Sequence, residues 1–124
     1  SVGGGVTWSD GVWQATLAGS YHTGWPTTPA RVVDEPPPAT IDFGPRNSAR
    51  FKDYAAVDLR VSRLFALPRG DLSVVAESTN ALDRRNPCCV DFSFGPSGDG
   101  SLELEREYRH WLPLVPSIGV LWRY

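Results

Sequence analysis

The stretch from Trp111 to Tyr124 constrains the fold more than any other. Read at every second position back from the end, it gives Tyr124, Trp122, Val120, Ile118, Pro116, Leu114 and Leu112. The intervening row is Arg123, Leu121, Gly119, Ser117 and Val115. Side chains alternate faces along a strand, so this pattern predicts one continuous apolar face and one small or mixed face. Chain ends usually fray into water. An aromatic closing so apolar a strand suits instead a barrel strand whose outer face meets lipid. On this stretch alone, a buried edge of a soluble sandwich is an equal reading.

The same alternation recurs upstream. Val2, Gly4, Val6 and Trp8 share one face of a glycine-loosened first strand, and Asp10-Gly11 signals a tight hairpin turn. From Val12 to Trp25 the apolar row is Trp13, Ala15, Leu17, Gly19, Tyr21 and Trp25. A two-residue turn at Asp10-Gly11 pairs Trp8 with Trp13 and Val6 with Ala15, which puts both apolar rows on one side. The third strand, 49–67, places Ala55, Val57, Leu59, Val61, Phe65 and Leu67 on one face, with Ala56, Asp58, Arg60 and Ser62 on the other. Arg63 interrupts the apolar row, tolerable only near an interface where the side chain can snorkel. A turn centred on Arg69-Gly70 leads into a fourth strand, Leu72 to Leu82. That register makes Arg60 and Glu77 diagonal neighbours, and Asp58, Arg60 and Glu77 become a candidate charge network on the polar side.

The segments 26–48 and 83–106 read as long loops, the first carrying three consecutive prolines, Pro36 to Pro38, with a tendency to polyproline conformation. The expected fold is all-β: an antiparallel up-and-down meander of five long strands, forming one unit over 1–124. Short turns at one end and long loops at the other match an outer-membrane barrel wall. Trp13 to Trp25 and Leu112 to Tyr124 are each long enough to cross a lipid-facing band about 25 Å tall, with aromatics at both ends. Eleven prolines and twelve glycines fit strands and turns rather than helices. The chain holds no apolar run near the roughly 18 residues of a membrane helix, so any span must be a barrel strand. It has no starting methionine or signal peptide and reads as a piece of something longer. A net charge of −2 offers no footprint for nucleic acid.

Chemistry-bearing residues are few. Cys88-Cys89 is a candidate vicinal disulfide in an oxidising compartment, or a soft-metal pair, but no zinc-type spacing accompanies it. His22 and His110 fall near strand ends, where lone histidines usually hydrogen-bond rather than ligate. Asp91, Asp99, Glu103, Glu105 and Glu107 read as a solvated acidic loop in preference to a calcium or iron-complex site. No Ser–His–acid order, phosphate loop or Walker pattern appears, so neither an enzyme nor a cofactor is expected.

Taken in order, Gly24-Trp25-Pro26, Gly44-Pro45-Arg46-Asn47-Ser48-Ala49-Arg50, Tyr54 to Arg63, Glu77 to Asn86 and Pro113 to Tyr124 resemble the extreme C-terminal barrel strands of TonB-dependent outer-membrane receptors. The resemblance covers nearly the whole chain. It implies a terminal assembly signal made of Ile118, Val120, Trp122 and Tyr124, read by the barrel-assembly machinery. It further implies a Gram-negative outer membrane and a role in importing ferric siderophores, cobalamin or certain sugars. A complete receptor of this family adds a plug domain, a TonB-contacting motif and a barrel of about 22 strands. The partners implied are therefore lipid and the remaining barrel and plug, or other copies of the chain. TonB itself would be reached only through the N-terminal part that this sequence lacks. The alternative is a small soluble β-sandwich or half-barrel that binds an apolar ligand, alone or as an oligomer.

Overall fold

A computed structural model describes residues 1–33, 40–96 and 102–124. The three consecutive prolines and Asp99 lie outside the described residues. The strands are β1 (Val2–Ser9), β2 (Trp13–His22), β3 (Pro26–Thr27), β4 (Ala30–Val33), β5 (Thr40–Phe43), β6 (Ala49–Arg50), β7 (Tyr54–Leu67), β8 (Gly70–Thr79), β9 (Pro87–Pro96), β10 (Leu102–His110) and β11 (Val115–Arg123). The chain divides into two compact units, one of Ser1–His22, Tyr54–Asn86 and Leu112–Tyr124, the other of Thr23–Asp53 and Pro87–Trp111.

The first unit is a five-stranded antiparallel meander in the order β1-β2-β7-β8-β11. It does not close, and β1 and β11 are its two edges. The expected faces are present, but both hairpin registers lie two residues away from those expected. At the first turn Trp8 opposes Ala15 and Val6 opposes Leu17, so the two-residue loop is Gly11-Val12. The cause is Asp10, whose carboxylate accepts the amides of Val12 at 2.9 Å and Trp13 at 2.7 Å. The Asp10 amide completes the closure by donating to the Trp13 carbonyl. At the second turn Phe65 opposes Leu72 and Leu67 opposes Gly70, so the loop is Pro68-Arg69. Gly70 has φ +103°, and a Cβ there would lie 2.0 Å from the Arg123 carbonyl oxygen, so only glycine fits. A shift of two preserves the side-chain parity, which is why every residue keeps its face.

Several strand limits differ from expectation, among them that of the last strand, which starts at Val115 rather than near Leu112. β2 ends at His22, so Trp25 is not part of it. The segment read as one strand over 49–67 is two, β6 and β7. β8 stops at Thr79, because the positive φ of Asn80 (50°) turns the chain out of the sheet.

The second unit consists of three small antiparallel pairs, β3 with β6, β4 with β5 and β9 with β10. The segment 83–106, read as loop, thus holds most of a hairpin. Phe92 opposes Arg106, Phe94 opposes Leu104 and Val90 opposes Tyr108 on one side. Asp91, Ser93, Glu105 and Glu107 lie on the other. The unit is held by an edge contact of Phe51 with Tyr108, another of Trp25 with Trp111, and a hydrogen bond from Arg106 to the Ala30 carbonyl. Among the described residues only Ala30 and Ala56 are buried apolar side chains, one in each unit.

Candidate functional site: two faces of the five-stranded sheet

The β-ladder pairs assign every side chain of the sheet to a face. One face carries Val6, Leu17, Leu59, Val61, Val74, Ile118, Val120 and Trp122. Among the described residues much of it is left open: Ile118 is 80% exposed, Val120 66% and Leu59 44%. An isolated sheet that leaves such a continuous apolar face in water is a poor solution for a soluble domain, because contiguous exposed patches of this kind mark a surface that meets another apolar phase. The residues named from sequence as an assembly signal fall here. Ile118, Val120 and Trp122 are on this face of β11, and Tyr124 follows with its ring 5.9 Å from that of Trp122.

The opposite face is mixed and wetter. Thr7 and Thr16 share a hydrogen bond across the first hairpin at 3.1 Å. Arg60 and Glu77 sit directly opposite each other, one register step closer than the diagonal expected, and pair at 2.9 Å. Both side chains are about half exposed (57% and 43%), so water screens the pair and its net worth is about 0.5 kcal/mol. Beside it a shallow groove of about 290 Å³ is lined by Val75, Ser117, Gly119 and Leu121. Asp58 has a different task from the one expected: its carboxylate accepts the Asn80 amide at 2.9 Å, which draws it into a backbone cap and away from a charge network. His22 stacks on Tyr54 with ring centroids 4.7 Å apart and planes within 4°, at the long-connection end of the same face.

A polar knot that sequence reasoning missed holds this end together. Asn86 is 1% exposed and clamps the backbone of Ala55 at both ends, accepting its N–H at 3.0 Å and donating to its C=O at 2.8 Å. Its amide thus substitutes for a neighbouring strand. Asn80, 3% exposed, donates to the carbonyls of Arg84 at 3.0 Å and Leu112 at 3.1 Å. Asp83 accepts the Leu114 amide at 2.9 Å. Asn80 and Asp83 both have positive φ, a conformation that short polar side chains tolerate best. Buried polar groups are mostly hydrogen-bonded, and the side-chain amides of Asn80 and Asn86 both find backbone partners. The knot therefore ties β7, β8 and the lead-in to β11 into one block. The sequence signal was the run Asn80-Ala81-Leu82-Asp83-Arg84-Arg85-Asn86, which carries Asn and Asp where a chain must turn.

The candidate vicinal disulfide is not formed; both cysteines are free. Cys88 is the unpaired residue of a β-bulge, between Cys89 opposite Arg109 and Pro87 opposite His110. The hydrogen bond to Cys88, ahead of desolvation and the neighbouring Cys88 and Asp91 charges, pushes the Cys89 thiol above its ordinary range. Of the acidic run, Asp91 pairs with Arg109, which raises the guanidinium pKa further. Glu103, Glu105 and Glu107 share one exposed side of β10. His110 is exposed. Among the described residues no three His, Cys, Asp or Glu side chains are grouped to hold a metal ion, and no helix is long and apolar enough to cross a membrane.

Compared with known proteins, the chain matches no family model, no curated sequence and no solved structure.

Proposed function

We propose that the five-stranded sheet is a section of the wall of an outer-membrane barrel, and that the barrel is that of a TonB-dependent receptor importing a scarce nutrient. The observation that carries the reading is the exposure of Val6, Leu17, Leu59, Val61, Ile118 and Val120 on one face of a sheet whose two edges are both open. Support also comes from the connections, short at one end (Gly11-Val12 and Pro68-Arg69) and long at the other. Barrels of the outer membrane have short turns on one side and long loops on the other.

The strand count bears on what completes the wall. With five antiparallel strands, β1 and β11 run in the same direction. Copies arranged around one axis would meet β11 to β1 as a parallel seam, contrary to the all-antiparallel rule of such barrels. Strands of the same polypeptide added at either edge restore antiparallel pairing. Completion by the parent chain is therefore the better reading than completion by copies. Arg60, Glu77 and the groove over Gly119 then face the wet interior, while the β9–β10 hairpin belongs to a long external loop.

The test is barrel assembly in the parent receptor. Deleting Tyr124, or replacing Trp122 with aspartate, is expected to abolish heat-modifiable migration on gels while synthesis continues. Unchanged migration in both variants contradicts the reading.

A further inference from the structure

Across all five strands the apolar face carries a single charged side chain, Arg63. It is exposed, opposite Trp13 on one side and Val74 on the other, close to the short-turn end. Its guanidinium lies 4.9 Å from the Trp13 ring centre and 4.6 Å from that of Phe65, held between two aromatic faces. Among the described residues no carboxylate pairs with it. Asp10, in the adjacent turn, directs its carboxylate to the backbone of Val12 and Trp13. β7 is the central strand, already paired on both sides, so no further strand can bring an acid beside Arg63. Exposed Trp8 and Trp122 lie at the same end of the face.

We propose that Arg63, framed by Trp13 and Phe65, binds the phosphate of an anionic phospholipid headgroup at the short-turn rim of the apolar face. The inference rests on the reading that this face meets lipid. At the rim of a hydrocarbon-facing surface a cation that snorkels toward water meets the headgroup phosphates, the anions that the membrane itself supplies. The guanidinium fork suits two phosphate oxygens at once, and ring stacking holds it ready without a protein partner. Trp13 also serves as a reporter, since it stands against the site.

The experiment uses the full chain reconstituted in mixed bilayers of phosphatidylcholine and phosphatidylglycerol, with dibrominated acyl chains on one lipid or the other to quench tryptophan. Wild type is expected to prefer the brominated phosphatidylglycerol about fivefold, as for one basic residue near an anionic surface. Arg63→Gln is expected to lose the preference while still being quenched by both lipids, and Arg63→Lys to keep part of it. Arg69→Gln, a turn cation off the site, should keep all of it. Equal quenching by both lipids in wild type overturns the headgroup site and leaves the membrane reading standing. So does a loss in Arg69→Gln as large as in Arg63→Gln. No quenching by either lipid overturns both.

Discussion

The β9–β10 hairpin and the five-stranded sheet obey one rule of alternation and reach opposite ends. In the hairpin Val90, Phe92 and Leu104 are half-buried, and Arg106 and Tyr108 on the same side reach Ala30 and Phe51 of their own unit. In the sheet Val6, Leu17, Leu59, Val61, Ile118 and Val120 are left open. The difference is one of degree: the hairpin's row gains contacts within its own unit although Phe94 and Tyr108 stay 43% and 53% exposed, while among the described residues the sheet's row at Ile118 and Val120 is 80% and 66% exposed. Amphipathic strands thus specify a face but not its occupant. For the hairpin part of the occupant is protein of its own unit; for the sheet we propose lipid.

Breaking the sheet itself should have the largest effect. Gly70→Val puts a side chain where φ is +103° and the Arg123 carbonyl leaves no room, with an expected loss of about 4 kcal/mol by denaturant unfolding. Asn86→Ala removes both bonds to the Ala55 backbone and should cost about 3 kcal/mol, because a buried N–H and C=O are left unpaired. Ile118→Arg sharpens the contrast between regions. In a bilayer it should cost about 2 to 4 kcal/mol. The equivalent change at exposed Glu105 of the hairpin should stay within about 0.5 kcal/mol. A double-mutant cycle on Arg60 and Glu77 should return about 0.5 kcal/mol, falling with salt.

The smallest effect is a pH dependence at the first turn. Backbone hydrogen bonds from Trp13 and then Val12 hold the Asp10 carboxyl below its ordinary value of 3.8. A lowered folded-state pKa means stability present above the unfolded value and lost as pH falls through the folded one. Unfolding midpoints of wild type and Asp10→Asn should therefore converge as pH drops below about 4, and differ above it.

The faces of the sheet were legible because alternation survives small errors. Both turns were placed one residue off, which moves the cross-strand pairing by two, since Asp10 prefers to cap Val12 and Trp13 and Gly70 starts β8 rather than ending the turn. An error of one residue would have inverted every face. The Arg60–Glu77 contact was legible for the same reason. The β9–β10 hairpin was not, although Phe92 and Phe94 alternate with Asp91 and Ser93, because its asparagine, proline, glycine and serine content suggested loop. The Asn80–Asn86 knot was not either: its bonds to Ala55, Asp58 and Leu112 join positions that only the fold brings together. Nor could the free state of Cys88 and Cys89 be read from their adjacency.

Contact between the apolar face and hydrocarbon can be measured residue by residue along β11. Spin labels at single cysteines from Ser117 to Leu121, in a Cys88→Ser, Cys89→Ser background and in a reconstituted bilayer, report collisions with membrane-dissolved oxygen or with a water-soluble nickel complex. Expected is an alternation, with positions 118 and 120 favouring oxygen and 117, 119 and 121 favouring nickel. Equal access of the nickel complex to all five positions would contradict a lipid-facing row.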